Sequence, residues 1–255
     1  MRSLQFFAPS GVPSIIPGTD LAQTIGACLA QNDLTLQDGD IVVLAQKIVS
    51  KAENRYVDLR TVIPSEAAHR LAETTGKDAR IVEVILSEST TVVRSRPGTI
   101  IVRHRLGFVL ANAGIDQSNL PGGAVEERVL LLPVDPDASA NKLRQELERA
   151  SGATIGVAII DSLGRAWRIG TIGTCIGASG FLTVHDMRGQ ADLYGRALQS
   201  TVLAAGDELA AGASLVMGQA AEGTPIVLVR GYPASLSPIA SASDLIRPQH
   251  EDLFP

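Results

Sequence analysis

The sequence is poor in the features that announce many classes of function. It has two cysteines in 255 residues, Cys28 and Cys175. They are too few and too far apart for a disulfide framework or a CxxC zinc site, so the expected setting is a reducing cytoplasm. Aromatic residues make up 4%, which disfavours a stacking platform for single-stranded bases. Lys and Arg number 22 against 27 Asp and Glu, a net charge of −5, and no broad nucleic-acid face is expected from that balance. The opening MRSLQFFAPSGVPS carries no signal-peptide pattern. Nor is there a run of about 18 apolar residues, so no membrane span is expected. Phosphate and hydrolase signatures are missing as well: there is no GxxxxGK[ST], no GxGxxG after a strand, no GxSxG and no HExxH. The four histidines, at 69, 104, 185 and 250, are scattered.

What is present is a 45% hydrophobic composition, ample for a packed core. Asp20 introduces a helical pattern through Leu21, Ile25, Cys28 and Leu29. Ile41 to Ala45 reads as a buried strand, and so do Gly156 to Ile160 and Ile226 to Arg230. Ser65 and Asp78 are N-cap candidates for two helices separated by Gly76, and Asp135 opens a helix bearing Leu143 and Leu147. Thr90–Arg94, Thr99–Arg103 and Gly107–Leu110 predict successive strands with a turn at Pro97-Gly98. A last long helix is expected from about Leu198 to Val216. Strands and helices do not alternate regularly, so the fold class is α+β with mixed, largely antiparallel sheets rather than a doubly wound parallel sheet. The chain reads as one unit over residues 1–255, compact or two-lobed.

Polar clusters at strand ends are the candidate chemistry. Asn112 to Asn119 follows one strand, and Asp161-Ser162-Leu163-Gly164-Arg165 follows another. In both an Asp is expected to leave a rigid strand into a glycine-containing turn. Either cluster alone is more readily a plain turn, and only the two together weigh evenly against that reading. Two converging carboxylates repel and call for a divalent cation, and oxygen donors suit Mg²⁺ or Mn²⁺. Lys51 can neutralise a phosphate, or be an ordinary surface lysine. Gly218 to Pro225 can wrap a ligand with backbone amides, or simply end a helix. Arg165, Trp167 and Arg168 can hold an anionic ring-bearing ligand, or be a surface arginine pair packing over an interface aromatic. Cys175, in an apolar Ile-Gly-Thr-Cys-Ile-Gly setting, reads as a buried inert thiol.

Taken in order, these pieces resemble a known family. They are GVPSI at 11–15, AQKIVSKAE at 45–53, HRLGFVLANAGIDQSN at 104–119, LLLPVDPDASA at 130–140, DSLGRAWRIG at 161–170, DLYGR at 192–196, DELAAGASLVMGQAAEGTP at 207–225 and ASDLIRP at 242–248. The sequence is similar to the F420-0 γ-glutamyl ligases over nearly its whole length. The resemblance implies an intertwined homodimer and a GTP-dependent ligase without a P-loop. That ligase adds L-glutamate through γ-linked amides to the deazaflavin precursor F420-0 by way of an acyl phosphate.

The resemblance also implies roles for particular residues. Asp116 and Asp161 would hold metal, with Ser162 serving a second ion; Gln219 stands where some members use a Glu for metal, and its amide oxygen can still ligate. Asp116, Asp161 and Lys51 would carry the chemistry. Val12, Pro13, Ser14, Ile15, Gln46, Lys51 and Asn119 would line the GTP site, together with the loop Met217, Gly218, Gln219, Ala220, Ala221, Glu222, Gly223 and Thr224. Two Mg²⁺ or Mn²⁺ ions per site are implied, with K⁺ as a further candidate. The chain is expected to be the ligase module without the nitroreductase-like flavin domain fused to it in some bacteria. Two rivals remain: a ligase of the same fold acting on a different carboxylate, and a non-catalytic GTP-binding module.

Overall fold

The computed structural model describes residues 3–117, 127–233, 236–237 and 239–252. The strands are β1 (Gln5–Phe7), β2 (Ile41–Ala45), β3 (Tyr56–Asp58), β4 (Ser89–Arg96), β5 (Thr99–His104), β6 (Val109–Ala111), β7 (Arg128–Leu130), β8 (Gly156–Arg165), β9 (Arg168–Ser179), β10 (His185–Asp186), β11 (Val202–Leu203) and β12 (Ile226–Arg230). The helices are α1 (Leu21–Gln31), α2 (Gln46–Ala52), α3 (Glu66–Thr75), α4 (Ala79–Ser87), α5 (Pro136–Ser151) and α6 (Ala205–Met217). The architecture is α+β, as expected.

The main sheet runs β1-β12-β2-β8-β9, with β2 and β8 parallel and the other pairs antiparallel. Its central strands are buried on both faces, which is why they read as continuous apolar runs rather than alternating ones. Val42, Leu44, Val157, Ile159 and Leu228 pack with Ile25 and Leu29 of α1 and Leu143 and Leu147 of α5. Ile41, Val43, Ala158, Ile160 and Val227 face the other way, onto Leu209, Ala210, Ala213 and Met217 of α6. The sheet is thus sandwiched between α1/α5 and α6. A third apolar cluster joins α3 and α4 to Ile100 and Val102 of β5, within the antiparallel sheet β4-β5-β6.

The local signals for helix ends hold. Asp20, Ser65, Asp78 and Asp135 each accept a backbone N–H from the first turn of their helix, satisfying donors that a helix cannot pair internally. Two expectations fail. The last helix begins at Ala205, not Leu198: residues 185–203 form a two-stranded excursion, β10 with β11, stitched by Met187 N to Thr201 O and Leu198 N to Gln190 O. Non-local pairing there overrides the apolar spacing. And β8 does not end at Asp161. It continues to Arg165, paired with β9, so Asp161 stands inside a strand and the turn falls at Ala166-Trp167. Among the described residues, no helix is long and apolar enough to cross a membrane.

Candidate functional site

Two parallel strands part company at the site. β2 and β8 stay in register up to Ala45 opposite Ile160. There β2 turns directly into α2, while β8 runs on with Asp161 and Ser162. A crevice beyond the carboxyl ends of parallel strands is where sheets of this kind bind ligands. The loop entering β12 reaches the same end of the sheet, tied to it by Ala45 N donating to Pro225 O at 2.9 Å.

The resulting cavity measures about 440 Å³. Its wall gathers Val12 to Ile15, Gln46 and Lys51, Asp161 and Ser162, and the loop Met217 to Thr224. These segments lie far apart in the chain and were all expected at one site. Asp116 is not on this wall, and Asn119 lies outside the described residues. Lys47 is on the wall too, and the sequence reading passed over it. The signal available was its spacing: Lys47 and Lys51 are one helical turn apart, and residues so spaced share a face.

The charges form one neighbourhood. Lys47 Nζ lies 2.5 Å from Asp116 Oδ2. Burial pushes the Asp161 carboxyl up to about 6, the Asp116 charge adds to the rise, and the Ser162 N–H and Lys47 oppose it. That N–H reaches Asp161 Oδ1 at 2.8 Å. Burial also lowers Lys51, as does the Lys47 charge, against the pull of Asp116. Asp116 arrives by a different route from the strand-to-turn exit expected of it. A tight turn holds Asn112, Ala113 and Gly114 at φ of 52°, 54° and 67°. The chain then makes a single bridge, with Asp116 N donating to Leu130 O at 3.0 Å and Leu130 N to Asp116 O at 2.9 Å.

The loop after α6 is ordered from within. The Glu222 carboxylate accepts the Ala220 N–H at 2.8 Å, and such backbone contacts hold it below the usual carboxylate range. Thr224 Oγ1 donates to Met217 O at 2.8 Å. The loop is fastened to β8 by Ser162 Oγ donating to Gln219 Oε1 at 2.6 Å. On α2, Gln46 is buried and its Oε1 accepts Ser50 Oγ at 2.8 Å.

The donor set is therefore two carboxylates, a hydroxyl and an amide oxygen. Among the described residues, no cluster of three or more His, Cys, Asp or Glu side chains is placed to hold a metal, at this cavity or elsewhere. An all-oxygen set with two repelling carboxyls fits a hard divalent cation.

Other expectations separate from the site. Arg165 lines a different cavity, and Arg168 lines neither. Trp167, 88% exposed, sits at the β8–β9 turn with a φ of 64°. Asp192 is a turn former, accepting the N–H groups of Tyr194 and Arg196. Cys175 is buried, and burial pushes its thiol far up, in keeping with an inert role.

A family model described as F420-0:Gamma-glutamyl ligase matches residues 11–231. The chain is 44% identical over 245 residues to the coenzyme F420:L-glutamate ligase of Methanothermobacter thermautotrophicus, covering 96% of both chains. It is 46% identical over 241 residues to the ligase of the same name from Methanopyrus kandleri, covering 93% of this chain and 92% of that one. With the ligase of Archaeoglobus fulgidus the identity is 39% over 251 residues, with coverage of 98% and 96%.

Proposed function

Since the chain belongs to the F420-0:gamma-glutamyl ligase family, we propose that it joins L-glutamate to F420-0 through a γ-linked amide, with GTP as phosphoryl donor. The observation that carries this reading is the convergence of Asp161, Ser162, Lys47 and Lys51 with the amide-rich 217–224 loop on one cavity.

A carboxylate does not condense with an amine unaided, because its oxygen is a poor leaving group. In the proposed route the acceptor carboxylate attacks the γ-phosphorus of GTP and GDP leaves. The glutamate amine then attacks the acyl phosphate and phosphate departs. Divalent ions, held by Asp116, Asp161, Ser162 and Gln219, would supply charge screening between the two anions. Lys47 and Lys51 bring positive charge to the phosphates from one face of α2. Val12 to Ile15 and the loop from Met217 to Thr224 cover the nucleotide and keep water from the acyl phosphate.

The proposed assembly is a homodimer. Supporting it are large apolar side chains left in solvent: Ile169 at 102%, Leu193 at 99% and Leu215 at 84% exposure. Burying them against a second copy would remove that apolar surface from water.

The test is mass spectrometry of F420-0 after incubation with glutamate, Mn²⁺ and either GTP or ATP. Glutamylated product with GTP, far above that with ATP, is expected. Product with ATP alone would overturn the nucleotide assignment. Glutamylation of a different acid would favour the rival ligase, and GTP binding with neither GDP release nor amide would favour the non-catalytic GTP-binding module.

A further inference from the structure

A second cavity, of about 400 Å³, lies farther along the same strand. Asp161 and Ser162 line the first cavity, and Leu163, Gly164 and Arg165 line the second. Four strand residues at about 3.3 Å each put the Arg165 backbone about 13 Å from that of Asp161. A single extended ligand can therefore reach from one to the other.

The wall of this second cavity is unusual in an acidic protein. Three arginines meet there, Arg103 from β5, Arg165 from the end of β8 and Arg247 from the C-terminal segment. Its two carboxylates are already engaged by the protein itself. Asp252 lies 3.6 Å from Arg103, and Asp207 accepts the Cys175 N–H at 2.9 Å. Among the described residues, neither Arg165 nor Arg247 has a carboxylate within ion-pair range. Phe108, Leu163 and Ile246 supply an apolar wall beside these guanidiniums. Planar forks next to an apolar surface recognise phosphate or carboxylate groups attached to a flat, apolar body.

We propose that this cavity holds the acceptor substrate, its acidic groups on Arg165 and Arg247 and its apolar body against Phe108, with the reacting carboxylate carried along β8 toward Asp161. The nucleotide and the acceptor then enter from opposite ends of one strand segment. This assignment rests on the ligase reading above and deepens it.

The test uses Arg165→Ala, Arg247→Ala and the double variant. Both side chains belong to exposed residues, so the fold should survive, and the thermal unfolding midpoint checks that it does. Each loses a charge-assisted contact, so the KM for F420-0 is expected to rise about tenfold or more. The KM values for GTP and glutamate should stay within about twofold, and Arg165→Lys should recover part of the loss. Direct binding of F420-0, followed by its own fluorescence without GTP or metal, should weaken in parallel. If the wild type turns over but the variants keep its KM for F420-0, or raise the KM for glutamate instead, this assignment fails while the ligase reading stands. If the wild type itself neither binds nor glutamylates F420-0, the ligase reading fails first.

Discussion

Ser162 Oγ donates to Gln219 Oε1 over 2.6 Å, fastening the loop after α6 to the middle of a sheet strand. The loop on the cavity wall and the strand that carries Asp161 therefore share one hydrogen bond. Replacing Gln219 by Glu adds a carboxylate to a set that already holds Asp161. Mn²⁺ affinity, measured by calorimetry, is expected to rise about tenfold. Gln219→Ala should lower both Mn²⁺ and GTP affinity. Unchanged affinities in both variants would show that the amide only braces the loop.

Asp116→Asn and Asp161→Asn remove the two charges that call for a cation. Each is expected to lower glutamylation by about a thousandfold or more, from the loss of charge screening at the phosphoryl group. The unfolding midpoint should remain near that of the wild type, and for Asp161→Asn it should rise slightly at neutral pH, because burial opposes the charged form. Near wild-type turnover at ordinary metal concentrations would remove that residue from the site.

Glu88 makes one acid-sensitive contribution to stability. It lies 3.4 Å from His104 Nε2, 3.0 Å from Arg105 Nε and 3.3 Å from Arg55 Nη2. Burial alone would raise its carboxyl, but contact with His104 and the charges of Arg105 and Arg55 hold it at about 2. A depressed carboxylate stabilises the fold fully above its unfolded value of about 4.3 and loses that contribution as pH falls toward its folded value. Glu88→Gln should therefore cost about 1–2 kcal/mol at pH 7. It should also flatten the decline in stability between about pH 5 and 2. Chemical denaturation across that range measures both effects. A variant whose stability falls with acid as steeply as the wild type would sink the assignment.

Gly173 lies on β9 opposite Ser162, and a Cβ there would collide with the backbone carbonyl of Ala210 on α6. Gly173→Ala must push the helix off the sheet, at an expected cost of about 1–3 kcal/mol. Because the 217–224 loop follows α6 directly, GTP affinity should fall along with the unfolding midpoint. A variant that loses stability but keeps full GTP affinity would mean that the loop is positioned independently of the helix.

Much of this molecule is written locally. Asp20, Ser65, Asp78 and Asp135 cap their helices because a side-chain oxygen two or three residues upstream meets an orphan N–H, an interaction with no tertiary component. The run from Ile41 to Ala45 declares a doubly buried strand by composition alone. Part of the cavity was legible for the same reason: Asp161, Lys51 and a glycine-bounded loop are chemical choices visible one segment at a time, whereas Val12 to Ile15 and Gln46 were implied only by the family resemblance. Pairing between distant segments was not legible. Asp161 looked like the first residue of a turn because nothing in Asp-Ser-Leu-Gly-Arg says that β9 lies alongside and extends the strand. Lys47 drew no notice in the sequence, because only the bridge between Asp116 and Leu130 brings a carboxylate within 2.5 Å of it. The start of α6 was misread because the β10–β11 pairing removes residues that have helical spacing but no helix. Local geometry reaches about one helical turn, whereas the cavity depends on where β2 leaves β8, and only the packed sheet decides that.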